Sequence, residues 1–389
     1  MDRFYLNNAG LYRTLVDALD ASMPAPHFSR HKASPPTEEI VTEQPNEDMV
    51  VGVRIRPMLE NDLTAGFPRA VHPRARGVDG PRNVDLHDLY NHPRGRPVLK
   101  SSTHQSDRLF DSEATTEEIY TELVADLVSF AQHGGIGTLF AYGQTGSGKT
   151  FTVSQLQRLA ATALLDDAAL TQRKIHITIF DLAGNAAFDL LNSREPFPVL
   201  EDSSGTTQLA GAVEHRVSTE DEMLHLISEA AEYRRTAPTL KNDVSSRSHS
   251  ICRIRIESSS DTEDGLLYLV DLAGSEAARD VAQHGADRMR ETKEINMSLS
   301  VLKDCIRGKA EADDARARGP DQKGNKIHVP IRRSMLTRVL KHMFDPQASR
   351  ACKTVVIACV NPSLADVGPS KNTLRYAEML RVPVPTSAR

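Results

Sequence analysis

Gly143-Gln144-Thr145-Gly146-Ser147-Gly148-Lys149-Thr150 constrains this chain more than any other segment, because it fits G-x-x-x-x-G-K-[ST] and sits between two stretches of opposite periodicity. Before it, Ile136-Gly137-Thr138-Leu139-Phe140-Ala141 reads as a buried strand; after it the pattern is helical. A glycine turn between strand and helix is a triphosphate cradle. The glycines let consecutive backbone N–H groups turn onto the phosphates, with the positive helix end behind them. Gln144, Thr145, Gly146, Ser147 and Gly148 are therefore expected around the phosphates. Lys149 is expected to reach the β- and γ-phosphates, and Thr150 to hold Mg²⁺.

Such a site also needs a metal-side carboxylate and a sensor of the γ-phosphate. Leu266-Leu267-Tyr268-Leu269-Val270-Asp271 is a continuous apolar run ending in Asp, as expected of a strand buried on both faces. It delivers Asp271 beside the metal and leaves Gly274 free to swing toward the γ-phosphate. Upstream, Asn242-Asp243-Val244-Ser245-Ser246-Arg247-Ser248-His249 gathers small hydroxyls around one Arg, which suits a loop ordered by phosphate and metal. Asp181-Leu182-Ala183-Gly184 repeats the letters around Asp271. It follows a run that alternates like a half-exposed strand, and no Ser-Glu pair comes after it, so it is rejected as the metal site. In the other copy, Gly274-Ser275-Glu276 offers a carboxylate to Arg247 across the two switch loops.

YGQTGSGKT, NDVSSRSH and DLAGSE, in this order, resemble the three nucleotide motifs of a kinesin motor domain. Arg54-Ile55-Arg56-Pro57 is similar to the adenine-side RxRP of that family, implying that Arg54 and Pro57 flank the base. Phe151 stands where most kinesins have His, and its ring is placed to pack on the same adenine. The resemblance runs from Asn46 to Val382 and implies an α/β P-loop fold, a central mixed sheet with helices on both faces, hydrolysing ATP with Mg²⁺ on tubulin. Carried over residue by residue, Asn242 and Ser245 line the nucleotide, and Thr150, Ser246 and Asp271 attend the metal. Lys149 neutralises charge, Ser246 and the Gly274 amide close on the γ-phosphate, and Arg247 with Glu276 orders the lytic water.

Several segments look like kinesin-13, the internal-motor class that depolymerises microtubules. Asn83-Val84-Asp85 is read in a long first loop, where that class carries Lys-Val-Asp, and Lys303-Asp304-Cys305 resembles its Lys-Glu-Cys on the tubulin-facing helix. Two departures concern the partner surface. Met297 replaces the Lys of Ile-Asn-Lys-Ser-Leu, and Met335 that of Ser-Lys-Leu-Thr, although Arg332, Arg333, Arg338 and Lys341 crowd the second segment. Tubulin is acidic, so each lost Lys lowers electrostatic attraction. Three readings stay open: a depolymerase, a walking motor, and a tubulin-binding module with impaired turnover.

Residues 1–23 read as one amphipathic helix through Leu11, Leu15, Val16, Leu19 and Met23, residues 24–46 as a Pro-rich polar linker, 47–383 as the motor domain and 384–389 as a tail. The long helix around Ile295 is expected over Asp287–Arg307, with Ile295, Leu299, Leu302 and Ile306 inward, followed by a charged loop at 308–326. A formal net charge of −5 argues against general polyanion binding, and the four cysteines show no metal spacing, as in an intracellular protein. No membrane span or dimerising heptad run is visible, so a monomer in the microtubule cytoskeleton, without nucleic acid, is the expectation.

Overall fold

The computed structural model describes residues 2–22, 48–74, 82–93, 95–165, 174–203, 205–236, 247–258, 263–275, 286–317, 327–345 and 350–381. The chain divides into two compact units, residues 1–113 with 360–389, and residues 114–359.

In the first unit, α1 (Asp2–Asn7) and α2 (Ala9–Ser22) bury Tyr5, Ala9, Tyr12 and Val16, spaced as one helical stripe. This is not the stripe expected from the aliphatic residues: Leu11 is 41% exposed. Hydrogen bonding explains the rotation. The Tyr12 hydroxyl reaches Arg69 O at 3.0 Å and His87 O at 3.2 Å, and the Tyr5 hydroxyl donates to Asp88 Oδ1 at 3.1 Å. Each tyrosine thus buries a ring and still satisfies its polar tip. Met23 and the linker lie outside the described residues.

The chain continues through β1 (Met49–Ile55), α3 (Glu60–Thr64), β2 (Val71–Arg74), β3 (Arg82–Asn91), β4 (Pro97–Ser106) and β5 (Arg108–Phe110). Strands β2, β3 and β4 form an antiparallel sheet, and β5 runs parallel to β1. Asn83, Val84 and Asp85 sit in the central strand β3 at 7%, 0% and 4% exposure, which corrects their expected place on a loop. They are a strand because both neighbours pair with them and the one charge is matched: Asp85 accepts from Thr103 Oγ1 at 2.7 Å and pairs with Arg74 at 2.6 Å.

The second unit runs α4 (Thr116–Ile119), a π-helical turn at Tyr120–Val124, α5 (Ala125–Gln132), β6 (Ile136–Tyr142), α6 (Lys149–Leu165), β7 (Ile175–Ala183), β8 (Ala186–Asp189), β9 (Pro196–Phe197), β10 (Val199–Glu201), β11 (Thr207–Leu209), β12 (His215–Val217), α7 (Glu220–Thr236), β13 (His249–Ile256), β14 (Gly265–Asp271), α8 (Ala286–Ala317), α9 (Met335–Val339) and β15 (Cys352–Val360). Its sheet is mixed, in the order β15-β6-β14-β13-β7-β8-β9 with β12 also on β7. Strands β15, β6 and β14 are parallel, while β13 is antiparallel to both neighbours. All seven residues of β6 are buried, which requires cover on both faces; α5 and α6 pack on β6 and β14. Strand β7 is buried at seven of nine positions and is not half-exposed as its alternation suggested; α7 packs on it.

Helix α7 opens on a capping box: Thr219 Oγ1 accepts from Glu222 N, and Glu222 Oε2 accepts from Thr219 N. Helix α8 buries Ile295, Leu299, Leu302 and Ile306 as expected but runs on to Ala317, so the first ten residues of the expected charged loop are helical. Their Ala, Lys, Glu and Arg content favours helix, and Lys309 pairs with Asp313 one turn on at 2.6 Å. The chain then returns to the first unit as α10 (Val367–Leu380), packed on β1, β3 and β4.

In the core of the second unit, His342 stacks on Tyr268 with ring centroids 4.7 Å apart, and its Nε2 lies 3.0 Å from Thr138 Oγ1. Burial, with Arg350 and Arg253 nearby, holds its pKa down at about 3 from the usual 6.5. A depressed pKa means that stability is full above pH 6.5 and is lost on acidification. Between pH 6.5 and 5 this one group removes about 2 kcal/mol. Urea unfolding of the protein and of His342→Phe, which keeps the stack, should show a stability gap that narrows by about that amount from pH 7 to 5. A gap independent of pH would contradict the assignment.

Candidate functional site

Strand β6 ends at Tyr142 and α6 begins at Lys149, so the six residues between them are the cradle. Gly143 is needed for space: a Cβ there would collide with the carbonyl oxygen of Cys359. Gly148 is needed for conformation, at φ +93°. Gln144 O gathers the loop, accepting from Ser147 N at 3.2 Å, Ser147 Oγ at 2.8 Å and Lys149 Nζ at 2.8 Å. Thr145 and Gly146 form the exposed tip. The loop thus offers backbone donors, a buried lysine and a helix N-terminus to one place.

Thr150 Oγ1 donates to Asp271 Oδ2 at 2.7 Å, which joins the cradle to the end of β14 as the motifs anticipated. One residue that the motifs did not single out completes this centre. Arg234, on α7, donates to Asp271 Oδ2 at 2.8 Å and to Ser248 O at 2.7 Å, and its Nε is 3.3 Å from Asp181 Oδ1. Ser248 Oγ donates to Asp181 Oδ2 at 3.0 Å. The Asp of the repeated Asp-Leu-Ala-Gly, rejected as the metal site, belongs to the same buried network. Arg234 was hidden because a basic pair in the last turn of a helix reads as a match to the helix dipole.

One guanidinium lies between two buried carboxylates. Burial accordingly pushes the Asp181 carboxyl up, against the pull of Arg234. Asp271 Oδ1 is buried without a hydrogen-bond partner among the described residues. A hydroxyl and a carboxylate with an open oxygen are hard oxygen donors of the kind that fit Mg²⁺ carried in on a nucleotide. His249 lies behind the same loop: its Nδ1 accepts from Ala273 N at 3.0 Å, and burial with nearby Arg234 and Lys149 keeps the ring neutral, its pKa at about 3.

Of the other expected residues, Phe151 stands 55% exposed on the first turn of α6. Gly274 is buried three residues past Asp271, and Arg247 precedes β13. Within the first unit Arg54 is buried near the end of β1 and Pro57 is exposed. Asn242, Ser245, Ser246 and Glu276 lie outside the described residues.

On the expected partner surface, Lys303 and Asp304 are half-buried on α8, whereas Cys305 is fully buried, its thiol pushed up to about 12, and has no surface to offer. Arg332 is an exposed cation paired with Glu201 at 2.9 Å. Arg338 is a strut: it donates to Val199 O at 2.6 Å while its own carbonyl accepts from Thr207 Oγ1 at 3.0 Å, clamping the β10–β11 hairpin to α9.

The kinesin motor domain family model matches residues 54–382. The chain is a member of the kinesin motor family. Diatom spindle kinesin-1 of Cylindrotheca fusiformis is 34% identical to it over 351 residues, 86% of this chain and 51% of that protein. Kinesin-like protein KIN-13B of Arabidopsis thaliana is 34% identical over 286 residues, 71% and 39% of the two chains. This kinesin therefore spans about half the length of the first relative and less of the second. Among solved structures, a KIF14 dimer with AMP-PNP in complex with a microtubule has the same fold, with a TM-score of 0.69 and 26% identity over 87% of this chain and 95% of that one.

Removing Arg234 would leave Asp181 and Asp271 buried without their cation. Arg234→Ala should lower the unfolding free energy by about 3–5 kcal/mol, and saturating Mg²⁺-nucleotide should recover part of it by supplying charge. Denaturant titrations with and without Mg-ADP check this; a loss below about 1 kcal/mol would show that the network carries little.

Proposed function

We propose that this kinesin motor domain binds ATP with Mg²⁺ at the cradle and hydrolyses it when bound to microtubules. The observation that carries this reading is the contact of Thr150 with Asp271, with the open oxygen of Asp271 beside it. When bound, Mg²⁺ supplies charge neutralisation to the phosphates. Thr150 and Asp271 would hold it, with Ser246 added by the family motif. Lys149 leaves the Gln144 carbonyl to take up phosphate charge, which costs the protein little because a stronger acceptor replaces a weaker one. Arg234 holds the Asp271 carboxylate in place through its hydrogen bond to Oδ2. Phe151 offers an exposed ring on which a base can stack, and Gly274 has the backbone freedom to turn its amide toward the γ-phosphate. Arg247 and Glu276, by resemblance, order the attacking water.

The finer reading is that of a kinesin-13-like depolymerase. Similarity to KIN-13B supports it, together with Lys303 and Asp304 on α8. The triplet Asn83-Val84-Asp85 no longer contributes as an exposed finger, since its side chains are buried in β3. Likeness to KIF14 in complex with a microtubule keeps a lattice-bound, translocating motor as the second reading. The surface charges are compatible with an acidic partner: Arg332, Arg333 and Lys303 remain where Met297 and Met335 have replaced lysines.

Lys149→Ala should remove ATP turnover while leaving the fold intact; retention of more than about 5% of the parent rate would refute the site. In filament imaging with stabilised microtubules, ATP should produce shortening from the ends by the parent and none by Lys149→Ala. Directional gliding without shortening would replace the depolymerase reading with the translocating one.

A further inference from the structure

Ala273 N donates to His249 Nδ1, so that nitrogen is the acceptor and the ring proton sits on Nε2. Nε2 lies 2.8 Å from Ser298 Oγ, and the Ser298 hydroxyl donates to Ile295 O at 2.7 Å. Donation therefore runs one way, from the Ala273 amide through the imidazole and the hydroxyl into the backbone of α8. Every member is buried, at 0%, 5%, 9% and 9% exposure for Ala273, His249, Ser298 and Ile295. On the other side of Gly274, Ser275 N donates to Gly143 O at 3.2 Å. Gly274 thus hangs between two tethers, one to the cradle and one to α8.

We infer that His249 is a positioning residue that passes movement of the Gly274 peptide to α8 through Ser298. The inference rests on the motor reading above and adds the residues through which nucleotide state reaches the partner-facing helix. When the Gly274 amide turns toward a phosphate, the Ala273 peptide shares its Cα and must follow. A buried Nδ1 left without its donor costs about 1–3 kcal/mol, so ring, hydroxyl and helix stay in register with that peptide. The imidazole suits this because it is rigid, neutral, and accepts on one edge while donating on the other. Met297, next to Ser298 on α8, is 46% exposed, so displacement of the tethered residue moves an outward-facing neighbour.

The test uses Ser298→Ala, which cuts the tether outside the nucleotide site, and Ser298→Thr, which keeps the hydroxyl. Turnover without microtubules should stay within about twofold in Ser298→Ala, microtubule stimulation should fall about tenfold, and Ser298→Thr should recover most of it. Adding His249→Asn to Ser298→Ala should lower the stimulation ratio no further, since both act on one path. Unchanged stimulation in Ser298→Ala, or a parallel fall of both rates, would overturn the inference in favour of a packing role. A second readout needs no filaments: hydrogen exchange across α8 with ADP against AMP-PNP should differ in the parent and become alike in Ser298→Ala. If the parent shows that difference but no stimulation, the tether stands and the microtubule reading falls. If α8 in the parent does not respond to the nucleotide, the tether is overturned.

Discussion

A single buried guanidinium organises the cradle-bearing unit of this kinesin. Arg234 binds Asp271, Asp181 and the Ser248 carbonyl at once, and so fixes the ends of three adjacent strands around one charge. Burying two carboxylates near one arginine is costly unless every remaining acceptor is met or a further cation arrives. Here one acceptor, Asp271 Oδ1, is left open. Strands β7, β13 and β14 lie side by side, and Asp181, Ser248 and Asp271 come to the same end of the sheet.

Much of this was legible in the chain because the cradle depends on backbone geometry that only certain residues permit. Gly143 and Gly148 are required by space and by φ, and the all-apolar runs on either side of them leave no choice but a buried sheet. The Thr150–Asp271 contact also followed from motif order, as did the capping box of α7 and the inward stripe of α8. Each of these signals is local, or links residues whose chemistry is unusual enough to stand out.

What stayed hidden depends on partners distant in sequence. Nothing adjacent to Arg234 shows that it faces two carboxylates 37 and 53 residues away. The face of α2 was misjudged because aliphatic spacing outweighed two tyrosines whose hydroxyl partners come from another part of the chain. Asn83, Val84 and Asp85 read as a loop by resemblance to the Lys-Val-Asp of kinesin-13, whereas Arg74 and Thr103 make the charge acceptable inside a sheet. Arg338 resembled a free surface cation until its hydrogen bond to Val199 O placed it as a clamp.

Helix α8 is 32 residues long, which at 1.5 Å per residue makes a rod of about 48 Å. Ser298 lies in its thirteenth position, leaving about 28 Å of rod beyond it. The hydrophobic stripe that holds the helix ends near Ile306, and the helix continues beyond it to Ala317 with mixed charge. A tilt of about 10° at the serine would then carry the far end some 5 Å, roughly the rise of one helical turn. On the inferred tether, geometry of this kind would gear an ångström-scale event at a phosphate to a displacement on the scale of a side chain.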